Sequence, residues 1–166
     1  MKRVTLKDIE TMAKTAFPAL WQEAKQMGRD VKIYLHWTAG RYGQMYDDYH
    51  LNIDQNGSIW ASTDDLSETL AHTWHRNTAS IGITLCCGYG ATTEDLGDYP
   101  PTVAQIDSMA QVIAVLAPAL WLTIDSERVL THAEAADNID GLLPEGDEYG
   151  PNNGCERWDL QFLGNR

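Results

Sequence analysis

Basic residues are scarce in this chain: its 166 residues carry 12 Lys plus Arg against 24 Asp plus Glu, a formal charge of −12. A surface with that balance repels phosphate backbones, which argues against nucleic acid as a partner. Cysteine is equally sparse. Cys86, Cys87 and Cys155 are too few for a disulfide framework, and two of them are adjacent inside an apolar run, where inert buried thiols are the ordinary outcome. No stretch approaches the roughly 20 apolar residues of a membrane span. The N-terminal segment is interrupted by Lys7, Asp8 and Glu10 and lacks the apolar core of a signal peptide, so synthesis and folding in a cytoplasm are expected. Internal repeats and low-complexity tracts are absent too. What is present is an ordinary apolar fraction of 43% in a chain of single-domain length, long enough to bury a core without staples.

Patterning divides that length into helices and strands. Thr5 followed by Asp8 reads as a capping box. Leu6, Ile9, Met12, Ala13, Phe17 and Leu20 then recur near helical spacing, with Pro18 expected to bend or interrupt the helix and Gly28 to stop it. Residues 31–36 alternate and are β-rich. Residues 49–54 and 58–62 flank Asn56-Gly57, a strong hairpin signal, and residues 80–87 read as a mostly apolar strand central in the sheet. Thr102 with Gln105 offers a second capping box, followed by a stripe of Ile106, Met109, Ala110, Ile113 and Leu116 ending around Pro118. Residues 129–132 form a short strand or its exit, and residues 138–154 turn to Gly, Pro, Asn and acids, a loop composition. Strands interleaved with helices predict an α/β fold: one domain over 1–166, with a central mixed β-sheet flanked by helices and an N-terminal helical segment over 1–30.

The histidines are the first candidates for chemistry. His36 ends a strand, and His132 follows the strand-like Val129-Leu130-Thr131. Two imidazoles at neighbouring strand ends suit a catalytic zinc site, which takes three protein ligands and leaves one position for water. The alternative is a pair of hydrogen-bonded loop histidines. A third ligand would come from Cys155 or Asp159, between which spacing does not choose.

Five stretches carry a family resemblance. They are Leu35-His36-Trp37-Thr38-Ala39-Gly40, then Tyr49-His50-Leu51-Asn52-Ile53-Asp54 running on to Ile59, then His72-Thr73-Trp74-His75-Arg76-Asn77 leading to Ser80-Ile81-Gly82-Ile83. The last two are Thr131-His132-Ala133-Glu134 and Glu156-Arg157-Trp158-Asp159-Leu160. In this order, over residues 31–163, they resemble the zinc amidase family that includes phage lysozyme-type amidases, bacterial cell-wall-recycling amidases and animal peptidoglycan recognition proteins. The resemblance implies the fold of that family, zinc as cofactor, and hydrolysis of the amide between N-acetylmuramic acid and L-alanine. It also implies peptidoglycan or a muropeptide as the partner of a monomer.

Residue by residue, His36 and His132 match the family's histidine ligands. Asp159 matches its third ligand, with Arg157 where many members have a lysine; Cys155, preceded by Asn153, ranks second. Tyr49 matches a tyrosine used beside the metal. His72 and Asn77 align with a substrate groove, and Trp37, Trp74 and His75 are candidates to stack on sugar or peptide. The wide gap from His132 to Asp159 implies an insertion over residues 138–154. Recycling members carry Glu after Ser-Ile-Gly-Ile, where this chain has Thr84; Glu134 is another carboxylate near His132, better suited to capping a turn. Three functions stay open: a lytic amidase such as a phage endolysin acting at the bacterial wall, a non-catalytic muropeptide-binding domain, and a cytosolic recycling amidase.

Overall fold

Local chemistry sets where the elements begin. In the computed structural model, which describes residues 1–92, 95–142 and 159–160, Thr5 and Asp8 close a reciprocal box. The Asp8 amide donates to the Thr5 hydroxyl at 3.2 Å, and the Thr5 amide donates to the Asp8 carboxylate at 2.8 Å. From there α1 (Leu6–Gln26) runs 21 residues and passes through Pro18 without stopping. Pro18 is exposed, so the Lys14 carbonyl that loses its amide partner can turn to water, while Ala13, Ala16, Leu20 and Ala24 bury the opposite face on both sides of the proline. Packing therefore outweighs the local break.

Among the described residues the sheet has six strands. In chain order they are β1 (Lys2–Val4), β2 (Lys32–Trp37), β3 (Leu51–Ile53), β4 (Ile59–Ala61), β5 (Ser80–Leu85) and β6 (Val129–Thr131), arranged β1-β4-β3-β5-β2-β6. The strands β3, β5, β2 and β6 run parallel to their neighbours, and the β3–β4 and β4–β1 pairs are antiparallel. The expected hairpin is β3–β4, closed by Gly57 at φ +79, a left-handed position that suits glycine. β5 sits centrally, as its apolar run suggests. β1, which pairs with β4 at the sheet edge, has no distinctive pattern in the sequence and was not anticipated.

The described residues form two further helices: α2 (Val103–Ala119) and the short α3 (His132–Ala136). The buried face of α2 is Gln105, Met109, Val112, Leu116 and Ala117, rotated from the expected stripe, so that Ile106 is exposed. Gln105 explains the rotation. Its buried side-chain amide donates to the carbonyls of Ile53 at 3.0 Å and Cys86 at 3.2 Å, satisfying backbone groups where two strands end.

Strand alternation then separates two faces. Ile33, Leu35 and Trp37 of β2, Leu51 and Ile53 of β3, and Ile81, Ile83 and Leu85 of β5 join residues of α1 and α2 in one apolar cluster. Each large side chain buried there contributes about 1.5–3 kcal/mol. The other face carries Tyr34, His36, Ser80, Gly82, Thr84, His50 and Asn52, nearly all polar and all buried. Tyr34 and Leu130 pack there on Ala135 of α3. The expected α/β sheet flanked by helices is thus what the chain forms, with its polar interior concentrated on one side.

Candidate metal centre

Register brings the two candidate histidines together. β2 and β6 pair in parallel with Leu35 opposite Thr131, so His36 and His132, one residue further along each strand, are lateral neighbours. Thr131 also caps α3: its hydroxyl accepts from the Glu134 amide at 3.1 Å while its own amide donates to the Glu134 carboxylate at 2.8 Å. Glu134 is therefore the cap that its spacing suggests. Both histidines lie at the carboxyl end of parallel strands, the edge where open α/β sheets bind ligands.

Asp159 reaches the same point from the far end of the chain. His36 Nδ1 and His132 Nδ1 are 3.1 Å apart, and Asp159 Oδ2 lies 3.6 Å from the first and 3.4 Å from the second. A tetrahedral ion with bonds of roughly 2.0–2.1 Å separates its ligand atoms by about 3.3–3.4 Å. The triangle fits that edge length. His36 is fully buried, and the side chains of His132 and Asp159 are 15% and 16% exposed, so the three donors face a site still open on one side.

Electrostatics favour the forms that bind a cation. Burial lowers the His36 pKa to about 4; the adjoining Asp159 carboxylate opposes the shift and His132 adds to it, leaving a neutral imidazole. Burial would raise the Asp159 carboxyl, but the adjoining His132 and His36 side chains overcome it and hold the group ionised, below its ordinary range. Two imidazoles and one carboxylate make a donor set typical of zinc.

Around this triangle the structure sorts the other candidates. The half-buried Tyr49 ring lies 5.0 Å, centroid to centroid, from the His36 ring. Thr84 stands directly across from His36 in the β2–β5 register; its hydroxyl is buried and has no hydrogen-bond partner among the described residues. Trp74 and His75, which follow Thr73 in the chain, are exposed, their rings 4.5 Å apart. Arg157 and Cys155 lie outside the described residues, as does the expected insertion beyond Leu142.

Three expectations need correction. Trp37 does not present a face to a ligand. As the neighbour of His36 on a strand it points the opposite way, is 4% exposed, and packs on Gly88, where a Cβ would fall 2.8 Å from its ring. His72 is only 6% exposed and lies under the surface against β5. Asn77 turns its side-chain oxygen to the loop itself, accepting from the amides of His72 at 3.1 Å and Thr73 at 2.6 Å. Asn77 thereby braces the turn that carries His72 and Thr73.

Sequence reading missed Thr73, and took His50 as a strand residue opposite Tyr49, packed or exposed. Thr73 Oγ1 lies 3.3 Å from His36 Nε2, on the side away from the triangle. His50 is buried, accepting from the Gly82 amide at 3.0 Å through Nδ1, with Nε2 donating to the Glu68 carbonyl at 2.8 Å. Only the alternation of His50, Leu51, Asn52 and Ile53 hinted that His50 shares a face with His36, and nothing in the sequence marked Thr73.

A family model described as N-acetylmuramoyl-L-alanine amidase matches residues 16–144, a span that holds both histidines of the triangle and ends before Asp159. No curated protein sequence matches the chain. Among solved structures, the chain is similar to the Ph2119 endolysin from a Thermus scotoductus bacteriophage, at 16% identity over 63% of this chain and 72% of that one, with a TM-score of 0.43. It is also similar to a PGRP-Hd from Alvinella pompejana, at 20% identity over 62% of this chain and 72% of that one, TM-score 0.44. A third is the N-acetylmuramoyl-L-alanine amidase LysC from Clostridium intestinale, at 14% identity over 82% of this chain and 87% of that one, TM-score 0.46. Because the family model covers more than half of its length, this chain belongs to the N-acetylmuramoyl-L-alanine amidase family.

Proposed function

We propose that this chain is a zinc-dependent hydrolase of the amide between the lactyl group of N-acetylmuramic acid and L-alanine, acting as a lytic enzyme on the bacterial wall. The observation that carries the reading is the triangle of His36, His132 and Asp159, whose facing atoms are 3.1 to 3.6 Å apart. These three would hold the ion. When bound, zinc supplies Lewis acidity, lowering the pKa of a water at the open position towards ~7 and polarising the scissile carbonyl.

The chain's own groups do the rest. His36 and His132 contribute no charge, so Asp159 leaves the centre with a net positive charge that favours the oxyanion. The Tyr49 phenol, beside His36, orients the attacking water or donates to the developing oxyanion. Arg157, two residues before Asp159, acts as a fixed positive clamp; it stays protonated at any working pH and carries no proton in the reaction. Exposed Trp74 and His75 offer flat faces to sugar or peptide. Thr84 occupies the position at which a carboxylate base marks recycling members, which favours intact wall over small fragments and fits an endolysin role.

The test is mass spectrometry of purified peptidoglycan after digestion, with anhydro-muropeptides assayed in parallel. Free stem peptides beginning with L-alanine, released from intact wall and suppressed by chelation, are expected. Binding to the wall without any release would instead identify a recognition domain, and release from fragments alone would identify a recycling enzyme.

A further inference from the structure

A zinc-ligating imidazole must present a bare nitrogen, so its proton must sit on the other one. In His36 the nitrogen facing His132 and Asp159 is Nδ1, and the choice of tautomer depends on what meets Nε2. That partner is Thr73 Oγ1 at 3.3 Å, and Thr73 Oγ1 lies in turn 2.9 Å from His72 Nδ1. His72 Nε2 is 3.4 Å from Ser80 Oγ, which is 2.8 Å from the Asn77 carbonyl. Four side chains from β2, β5 and the loop between β4 and β5 thus form one chain of contacts.

The carbonyl at its far end sets its direction. A carbonyl only accepts, so Ser80 gives its single hydroxyl proton to Asn77 and must accept from His72. His72 therefore carries its proton on Nε2 and accepts at Nδ1. Thr73 gives its proton to His72 and accepts from His36 Nε2–H. His36 Nδ1 is left bare, towards the triangle. Run in reverse, the same contacts would protonate His36 Nδ1 and close it to a cation.

We propose that Thr73 and His72 are positioning residues, a directed hydrogen-bond relay that fixes the tautomer and ring orientation of His36 for metal binding. The inference rests on the zinc reading given above. An independent feature shows that the sheet accommodates the relay. A Cβ on Gly82 would fall 2.7 Å from His72 Cγ and Cδ2, so only a glycine at the centre of β5 lets this imidazole lie against the sheet.

The test compares zinc affinity, measured by competition with a chromophoric chelator, in wild type, Thr73→Val and Thr73→Ser. Removing an outer partner of a ligating histidine weakens binding by about 10–100-fold. That loss is expected for valine, which keeps the shape of threonine, with recovery in serine, which keeps the hydroxyl. Cobalt-substituted Thr73→Val should also show an altered visible spectrum. Equal zinc affinity in wild type and Thr73→Val would overturn the relay while leaving the metal site standing, whereas wild type that binds no zinc would overturn the metal reading itself. Nitrogen-15 NMR of the unsubstituted protein gives an answer that does not depend on any variant folding: the relay requires a neutral, Nε2-protonated His72, and an Nδ1-protonated one would refute it.

Discussion

Replacing Arg76 by methionine would remove a guanidinium from beneath the surface while keeping much of its stem. The Arg76 side chain is 2% exposed and the side chain of its partner Asp140 is fully buried. The pair is bidentate, with Nε to Oδ2 at 3.1 Å and Nη2 to Oδ1 at 2.8 Å, and Nη2 also donates to Asn138 Oδ1 at 2.8 Å. After Arg76→Met, the Asp140 carboxylate would keep only the Tyr34 hydroxyl at 3.3 Å and the Leu142 amide at 3.4 Å. A buried charge stripped of its partner costs about 3–5 kcal/mol. For a chain of this size each kcal/mol lowers the melting temperature by roughly 2–4 °C, so a fall of about 6–20 °C is expected.

The pH dependence gives the same experiment a second readout. Burial alone would raise the Asp140 carboxyl, but Arg76 overrides it and holds the group below its ordinary value. In wild type this stabilisation is present above the ordinary carboxylate pKa of about 3.9 and is lost as pH falls through the lower folded value. In Arg76→Met the folded pKa rises above the unfolded one, so the deficit relative to wild type should shrink as the carboxyl protonates. Urea denaturation at several pH values measures both. A loss below about 1 kcal/mol, or unchanged pH dependence, would refute the reasoning, since an exposed pair behaves that way.

Three further outcomes follow. Tyr49→Phe should lower kcat by about 100–1,000-fold with zinc content unchanged, the order expected for one lost donor or positioned hydroxyl; steady-state kinetics with zinc analysis checks it, and an unchanged rate would make Tyr49 a packing residue. Burial lowers the His50 pKa to about 4, against opposing contributions from Glu68 and Asp65, so His50 is neutral when folded and charged when unfolded below about 6.5. Its contribution to stability should therefore be present above pH 6.5 and fall away as pH drops towards 4, by up to about 1.4 kcal/mol per pH unit for one proton, and His50→Gln should flatten that part of the curve in urea titrations. Gly82→Ala should displace the His72 ring, because the added methyl would lie 2.7 Å from it; overpacking of this kind costs about 1–3 kcal/mol in thermal or urea unfolding.

Much of the architecture is visible in short-range patterns because those patterns are the physics that forms it. The three capping boxes, the Asn56-Gly57 hairpin and the central β5 strand all act within a few residues. Where a distant contact decides the outcome, the pattern misleads. Pro18 sits within a helix because tertiary packing holds both halves, and α2 turns Gln105 inward because two strand-end carbonyls need donors. The candidate site divides similarly. His36 and His132 stand out as histidines at strand ends, and resemblance adds Asp159, but their meeting depends on the parallel β2–β6 register. Trp37 was misjudged because a motif carries no face, whereas strand alternation sends it away from His36. Thr73 and His72 belong to a loop whose hydrogen bonds leave no periodic trace, which is why their connection to His36 appears only in three dimensions.

The account depends on His36, His132 and Asp159 gripping one ion, and metal analysis of the purified protein tests this most directly. Wild type should contain about one zinc per chain, as a three-ligand catalytic site requires; Asp159→Ala should lose it, and Cys155→Ser should keep it. A metal-free wild type that still releases stem peptides, or an Asp159→Ala variant that retains its zinc, would contradict the account.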